Sequence, residues 1–282
     1  MTFLSSLAHQ ALSAAVGLIW LMVLFTVIES VFPRPEEKAS HRARLKGLFF
    51  TVISAPFILV TAQLFSLVWV PLHVNPLLPE LAPPGLPRPL AVVISCVAAC
   101  FVGDFFYYWA HRAQHRFFWR FHAVHHSVRQ MSGVAAYHHV SETLFKIVLY
   151  AVPLGLLTQD PLGLPVVGAL VARQGDYLHS PTRLNFGPLG RYFVDNRFHR
   201  VHHAIEPELH DKNFGVFTTL WDSLFGTAYF PRADEWPATG VADFPEPTNV
   251  WVYLFAPFTY RYRHQPKRRP LADAAAPDPV AP

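Results

Sequence analysis

Three long segments of the chain are almost free of charge, and no other feature constrains its fold as strongly. Residues 2–28 and 47–79 contain no Asp, Glu, Lys or Arg, and residues 89–110 contain only Asp104. A helix needs about 20 apolar residues to span the hydrocarbon core of a bilayer. The sequence therefore predicts three full transmembrane helices, at 8–30, 47–70 and 89–110.

A fourth apolar stretch, 147–172, is interrupted by Pro153, Asp160, Pro161 and Pro165. Its length and its interruptions fit either one kinked span or a hairpin of two short helices. The distribution of basic residues on either side of it separates these two interpretations.

Basic residues set the predicted orientation of the chain. The link between the first two predicted helices contains five Lys or Arg residues, whereas the next link contains only Arg88. Short basic loops stay in the cytoplasm, so His111 and the residues after it are predicted to be cytoplasmic. The segment after residue 172 is also basic, which favours an even number of crossings and hence the hairpin. The predicted fold is an all-α integral membrane bundle of three full spans and a short hairpin, with a cytoplasmic helical cap lined by histidines.

The chain has sixteen histidines, and eight of them fall into three groups with helical spacing. Residues at i, i+3 and i+4 lie on one face of a helix. If one helix runs through the first two groups, five imidazoles stack along one side of it. The groups are His111 and His115, then His122, His125 and His126, and finally His199, His202 and His203.

Imidazoles grouped in this way predict a metal site. Metal ligation requires neutral nitrogen donors and removes the repulsion that protonated rings would feel. Eight histidines exceed the ligand number of one ion, so the pattern indicates two metal ions. Nitrogen-rich ligation without thiolates suits Fe, Zn or Cu.

Two other functions compete with a redox metal enzyme. A hydrolytic zinc enzyme would carry the helix motif H-E-x-x-H, which this sequence lacks. A metal transporter would place its ligands near the bilayer midplane between broken helices, whereas these histidines follow the ends of the predicted spans. The net charge of +4, without a basic helix that carries interleaved aromatics, gives no support for nucleic-acid binding.

The segments around the histidines add further motifs. DFFYYWAHR at 104–112 leads into the first group, and DKNFG at 211–215 and WDSLFGT at 221–227 follow the third. With His-x3-His, His-x2-His-His and a later His-x2-His-His after several apolar spans, the chain resembles the membrane fatty acid hydroxylase/sterol desaturase superfamily, which are histidine-box non-haem diiron enzymes. The resemblance extends over about residues 90–230.

This resemblance implies two non-haem iron ions, O2 as a co-substrate and ten ligand histidines. His179, in YLHS, and His139, in HVSE, are similar to further histidines of the family. In the family a Pro commonly follows the histidine that His139 resembles, and Val140 takes its place here. Because His138 lies directly beside His139, either imidazole of this pair could be the ligand. The implied ligands are His111, His115, His122, His125, His126, His139, His179, His199, His202 and His203.

Three more residues are candidates for supporting the ligands. Asp104 lies two turns before His111 and could fix the tautomer of a ligand histidine, or it could pair with an arginine such as Arg112. His138 is the neighbour of a predicted ligand. Asn213 could support the metal site or cap a helix. No catalytic residue beyond the metal ligands is predicted.

The family resemblance also implies the reaction and the partners. The expected protein is an O2-dependent membrane oxidoreductase that hydroxylates a C–H bond of a lipid, such as a fatty acyl chain or a sterol. Lipid desaturation is the alternative, and a non-enzymatic membrane metal-binding or transport protein is less favoured. The sequence has no haem-binding segment, flavin fold or Cys cluster for an Fe–S centre, so electrons are expected from a separate ferredoxin or cytochrome b5-like carrier with its reductase.

Three regions follow from these patterns. The predicted regions are N-terminal transmembrane helices and loops at 1–88, the histidine-box catalytic domain at 89–230, and a C-terminal extension at 231–282 with a disordered basic and Pro/Ala-rich tail. The expected location is a membrane that the chain crosses several times, which is the inner membrane if the source is bacterial. The active site is expected on the cytoplasmic side.

Overall fold

The computed structural model describes residues 3–37 and 40–260, and this part of the chain is all-helical, as predicted. It contains ten α-helices and no β-strand. A π-helical turn, Ile147–Ala151, joins the fifth helix to the sixth. The helices are α1 (Phe3–Val31), α2 (His41–Trp69), α3 (Arg88–Phe117), α4 (Trp119–His126), α5 (Glu142–Lys146), α6 (Val152–Leu157), α7 (Leu164–Leu178), α8 (Asn196–His202), α9 (Leu220–Leu224) and α10 (Val250–Thr259).

Two helical segments among the described residues are long and apolar enough to cross a bilayer. They are His41–Leu72 and Arg88–Phe117, and they contain the predicted spans 47–70 and 89–110. Only 11% of the most apolar window of the first and 22% of that of the second is buried inside the protein. Apolar surface of this extent has to be covered by something other than water, and lipid is the cover that suits helices of this length.

The first predicted span, 8–30, falls on α1. The apolar stretch that can be assessed there, Val16–Val31, is shorter than a full span. Its outward side carries large apolar side chains, including Ile19 and Trp20, which are 63% and 69% exposed. A third full span therefore stays a prediction.

The chain between α5 and α7, which includes the stretch 147–172, runs away from the histidines and back as a helical hairpin. Its tip packs against the link between α2 and α3, where the N–H of Leu78 donates to the carbonyl oxygen of Leu157 at 2.7 Å. Gly163 lies so close to α3 that a Cβ atom would meet the carbonyl oxygen of Ser95 at 2.4 Å. Only glycine allows this approach, which fixes the hairpin against α3.

A buried carboxylate in α1 joins the N-terminal helices to the rest of the protein. Glu29 is 5% exposed, and Arg44 of α2 pairs with its Oε2 at 2.8 Å. Ser132 donates to the same oxygen at 3.0 Å, while the N–H of Gly133 and the hydroxyl of Ser180 donate to Oε1 at 2.8 and 3.0 Å. A buried ion pair with all its oxygens satisfied holds α1 and α2 against the end of α7. This role of Glu29 was not predicted from the sequence.

An aromatic core supports α4 on the side away from its histidines. The ring of Phe50 lies 4.8 Å from the rings of both Tyr137 and Tyr253, measured between centroids. Ala123 and Val124 of α4 are fully buried against this core. The packing leaves little freedom in the position of α4.

The segment after residue 230 packs on α8 through a tryptophan between two arginines. The guanidinium carbons of Arg34 and Arg200 lie 4.2 and 4.4 Å from the ring centroid of Trp236. The indole N–H of Trp236 donates to Glu37 at 3.1 Å. The tail predicted to be disordered, 261–282, lies outside the described residues.

Candidate metal centre

A break at Phe118 positions the first two histidine groups. Phe118 has φ −122° and ψ 21°, so α3 and α4 are separate and the single helix considered from the sequence is not formed. Residues eleven apart in a straight helix are separated by about 16 Å along its axis. Because α4 folds back, the Nε2 atoms of His111 and His122 are 3.1 Å apart, and those of His115 and His126 are also 3.1 Å apart.

Five histidines form the first cluster, in which one ring nitrogen of each lies within 4.8 Å of the others. Four come from α3 and α4, and His202 comes from the last turn of α8. The Nε2 atom of His202 is buried and has no hydrogen-bond partner among the described residues. The first cluster is His111, His115, His122, His126 and His202.

Four buried histidines form the second cluster: His125, His179, His199 and His203. The Nε2 atom of His179 lies 3.2 Å from those of His125 and His199. The Nε2 atom of His203 lies 3.2 Å from that of His199. The ring of His203 stacks on that of His126, with 4.3 Å between centroids, so the two clusters are adjacent.

Hydrogen bonds to backbone oxygens define the tautomers of two facing rings in the second cluster. The Nδ1 atom of His125 lies 3.2 Å from the carbonyl oxygen of Tyr137, and that of His179 lies 2.6 Å from the carbonyl oxygen of Gly175. A carbonyl oxygen only accepts, so both Nδ1 atoms carry the proton. The two Nε2 atoms therefore face each other at 3.2 Å as lone pairs. This contact is repulsive unless a cation lies between them.

The nitrogen separations fit a shared metal ion. Nitrogens that are each about 2.1 Å from one ion are about 3.0 Å apart at right angles and about 3.4 Å apart at tetrahedral angles. The Nε2 contacts in both clusters fall within this range, at 3.1 to 3.2 Å. The donor set thus matches a metal with imidazole ligands.

Burial keeps the imidazoles neutral, which metal ligation requires. Desolvation is the main cause of the pKa decrease at each of them; neighbouring imidazolium charges add to it at most of them, and the charge of Lys146 adds to it at His179. The pKa of His179 falls to about 4. The pKa values of His122, His125, His126, His199, His202 and His203 lie well below the usual value for histidine.

Two carboxylates contact ligands of the first cluster. The Nδ1 atom of His122 lies 2.9 Å from Oε1 of Glu142, which is 2% exposed, and the amide of Gln114 donates to the other oxygen. Desolvation raises the pKa of Glu142 to about 7. The Nδ1 atom of His115 lies 3.3 Å from Oδ1 of Asp211. Such carboxylates orient a ligand imidazole and raise its basicity. In the sequence Glu142 stands out only as the last residue of HVSE, and this motif alone predicts no role for it.

Backbone carbonyls orient two more ligands of the first cluster. The Nδ1 atom of His111 lies 2.9 Å from the carbonyl oxygen of Phe214, and that of His202 lies 2.8 Å from the carbonyl oxygen of Lys212. Both acceptors belong to the segment that follows the third histidine group. The conformation of this segment therefore sets the orientation of the two rings.

Asp104 holds this segment, the loop at 212–218, in place. Its carboxylate accepts the backbone N–H groups of residues 216–218 at 2.9 to 3.1 Å and the hydroxyl of Thr218 at 2.7 Å. These hydrogen bonds go to the loop rather than to a ligand histidine or to Arg112, which were the two alternatives from the sequence. Asp104 acts on His111 only through the loop.

Asp222 and Asn213 complete the support of the loop. Asp222 accepts the N–H groups of Phe214 and Gly215, both at 2.8 Å. The side-chain amide of Asn213 donates to the carbonyl oxygens of Phe198 at 2.7 Å and of Tyr229 at 2.8 Å. Asn213 thus ties α8 to the segment after α9, and its side chain neither caps a helix nor contacts a ligand. The role of Asp222 was not predicted from the sequence, although this residue lies within the WDSLFGT motif.

The structure separates His138 from His139. The ring of His138 stacks on that of His125 at 3.9 Å, and His138 forms a third group of potential ligands with His122 and Glu142. His139 lies outside all three groups. Its Nδ1 contacts the hydroxyl of Ser141 at 2.8 Å and its Nε2 contacts the carbonyl oxygen of Leu254 at 3.2 Å. Both nitrogens of His139 are thereby engaged away from the clusters, and nine of the ten predicted ligands lie within them.

The family comparison agrees with these motifs. Residues 96–227 match the family model of the fatty acid hydroxylases. The matched segment contains both histidine clusters, the loop and the two aspartates that hold it. This part of the chain is similar to a fatty acid hydroxylase domain, and the resemblance predicted from the histidine boxes is confirmed. Members of this family are iron-dependent monooxygenases.

Two curated relatives illustrate the range of proteins that this chain resembles. Ornithine lipid hydroxylase OlsE of Rhizobium tropici is 37% identical over 155 residues, which are 53% of this chain and 45% of that protein. Alkylglycerol monooxygenase of Caenorhabditis elegans is 33% identical over 164 residues, which are 55% of this chain and 30% of that protein. The chain thus matches less than half the length of either relative. No solved structure matches it.

Proposed function

We propose that this chain is a membrane-bound, O2-dependent oxidoreductase that hydroxylates a C–H bond of a lipid at two non-haem iron ions. The observation that carries the proposal is the pair of adjacent, buried histidine clusters, in which unprotonated nitrogens face each other. The fatty acid hydroxylase domain and the hydroxylase and monooxygenase names of its relatives support the reaction class.

Each cluster would hold one iron. The first cluster offers five imidazoles and the second offers four. Imidazole ligands suit iron, zinc and copper alike, and the family of the domain favours iron among them. Glu142 and His138 lie where the two clusters meet, because Glu142 contacts a first-cluster ring and His138 stacks on a second-cluster ring.

Iron bound here would supply the activation of O2 and the removal of hydrogen from an unactivated C–H bond. The chain's own residues prepare the site for this chemistry. Glu142 and the backbone oxygen of Phe214 accept from the Nδ1 atoms of His122 and His111, so the Nε2 lone pairs of these rings point into the cluster. Burial of the rings excludes water, which would otherwise compete with the substrate.

The position of the clusters suits a lipid substrate. The first histidine group lies in the last two turns of α3, at the end of a candidate membrane span. An apolar chain or ring could therefore reach the metals from the bilayer. We also propose the third span at 8–30, and a cytoplasmic site, because residues 31–46, which join the first two predicted spans, contain five Lys or Arg residues.

Electrons would come from a ferredoxin or cytochrome b5-like carrier with its reductase. The sequence has two cysteines, Cys96 and Cys100, and both lie in α3. Two thiols on one helix face do not form the four-cysteine ligand set of an Fe–S cluster.

The test is turnover under oxygen-18. The chain is expressed with iron, purified in detergent, and supplied with host membrane lipids and a reduced ferredoxin system. A lipid that gains one oxygen-18 atom is expected, and the His126→Ala variant should not form it. The matched control is His41→Ala, because this histidine is exposed and far along the chain from the clusters.

Two results would contradict the proposal. One is full turnover by His126→Ala. The other is a lipid that has lost two hydrogens without gaining oxygen, which would replace hydroxylation by desaturation.

A further inference from the structure

Polar side chains line one face of the first arm of the helical hairpin, residues 142–157, which leads away from the metal centre. Glu142, Lys146 and Tyr150 follow one another at intervals of four residues, and positions i and i+4 share a helix face. Glu142 is at the metal centre, where it contacts His122 at 2.9 Å. Each step of four residues leads about 6 Å further along the arm. Lys146 therefore lies one helical turn from the metal centre, toward the tip of the hairpin.

This face of the arm looks toward α3. The rings of Tyr150 and Tyr107 are 6.3 Å apart, and the hydroxyl of Tyr150 would lie 3.4 Å from a Cβ atom on Gly103. The ring of Tyr107 lies 5.4 Å from that of His111. A row of aromatic and small residues on α3 thus runs beside the polar face and reaches the first cluster.

Lys146 is accessible although it lies near the metal centre. Its side chain is exposed, yet surrounding protein lowers the pKa of its ammonium, an effect that Glu142 opposes. Its charge also adds to the effect of burial in lowering the pKa of His122 and His125. Lys146 thus presents an accessible positive charge on the face of the arm that looks toward α3, one helical turn from a residue that contacts the first cluster.

The ammonium has no partner of its own. Within residues 3–37 and 40–260, no hydrogen bond or ion pair within 4 Å engages Lys146. Its neighbours along the arm are exposed apolar side chains, with Leu144 at 53% and Val148 at 55%. A lysine beside a candidate span is costly unless it has a partner or a function. A π-helical turn, a feature that is frequent at functional sites, begins directly after it.

We propose that Lys146 binds an anionic group of the lipid substrate, a carboxylate or a phosphate, on the face of α5 that looks toward α3. The substrate class is then a lipid that is oxidised within a few bonds of its anionic group, not in the middle of an acyl chain. This follows because Lys146 lies only one helical turn from a residue that contacts a metal-cluster histidine. The inference rests on the proposed function and deepens it.

Binding of a fluorescent fatty acid tests this inference without turnover. cis-Parinaric acid carries a carboxylate, and its methyl ester is the neutral counterpart. The purified full chain is expected to bind the acid about tenfold more tightly than the ester. Lys146→Met should remove this preference, and Lys146→Arg should keep it. The control is Lys46→Met, because Lys46 lies in α2 rather than α5 and its ammonium pairs with Glu246 at 2.6 Å.

Competition identifies the anionic group. Displacement of the probe by oleic acid indicates a carboxylate, and displacement by a phosphatidic acid indicates a phosphate. Displacement by neither would overturn the inference, as would an unchanged preference in Lys146→Met or equal affinities for the acid and the ester in the unaltered chain.

Iron content and oxygen-18 incorporation are measured on the same preparations. A chain that binds iron and oxidises lipid without a charge preference refutes the role of Lys146 alone. A chain that shows the preference without oxidising lipid refutes the proposed function alone, because probe binding needs no reaction. Iron retained by Lys146→Met would show that this variant is folded.

Discussion

The two histidine clusters differ in how the chain assembles and supports them. Four of the five members of the first cluster come from α3 and α4, within sixteen residues of sequence. Carboxylates of Glu142 and Asp211 contact two of its rings. The second cluster draws on three separate segments and has only backbone carbonyls as Nδ1 partners, with the Nδ1 atoms of His199 and His203 unpartnered among the described residues.

This difference predicts unequal metal affinities. A carboxylate that accepts from a ligand imidazole raises the basicity of its donor nitrogen. The first cluster should therefore bind its ion more tightly, and the second should lose its ion first when metal is limiting. The second cluster depends more on tertiary packing, including the Glu29 network that holds the residue after His179.

The largest effect is expected from removing one ligand of each cluster. His126→Ala and His203→Ala should each lower lipid oxidation at least about a thousandfold, since both ions are required, and each should reduce the iron content by about one ion per chain. Metal analysis and turnover check this. Either variant that kept two ions and its activity would break the division into two clusters.

Glu142→Gln should weaken the first cluster selectively. Loss of the carboxylate partner of a ligand histidine typically lowers metal affinity about 10- to 100-fold. Titration with a competing chelator should show one ion released earlier and the other unchanged. Glu36→Gln, at an exposed carboxylate near the start of α2, is the matched control. Equal weakening of both ions would contradict the assignment of Glu142 to the first cluster.

Asp104→Asn should act on the first cluster indirectly. Its carboxylate holds the loop whose Phe214 carbonyl orients His111. An amide cannot accept at both positions, so stability should fall by about 1 to 3 kcal/mol, and first-cluster affinity should fall severalfold. Thermal unfolding and chelator titration measure the two effects. Unchanged stability would show that the loop is held by Asp222 alone.

The smallest effect is expected at His139, which serves as a control for its neighbour. His139→Ala should change iron content and turnover less than about threefold, because both ring nitrogens bond away from the clusters. His138→Ala should lower turnover more, since His138 stacks on His125. Loss of an ion in His139→Ala would show that His139, rather than His138, is the ligand of this pair.

Local spacing explains what the sequence could predict. The repeated i, i+3, i+4 pattern is a property of short helices, so the eight box histidines could be assigned without the fold. The two apolar spans in α2 and α3 could also be predicted locally, because a helix that spans a bilayer needs a continuous run of apolar residues.

Tertiary contacts explain what the sequence could not predict. The break at Phe118 follows no proline or glycine, so nothing in the sequence marked it. Choosing between His138 and His139 depends on the turn that brings one ring onto His125. The partners of Asp104 lie more than a hundred residues away, and the role of Glu29 appears only when four distant segments meet.

The central claim is that each cluster holds one iron ion, and an anomalous difference map at the iron edge tests it most directly. Crystals of the iron-loaded chain should show two peaks. Each should lie about 2.1 Å from Nε2 atoms, one within the first cluster and one within the second. A single peak, or a peak beside His139 with one cluster empty, would contradict the account.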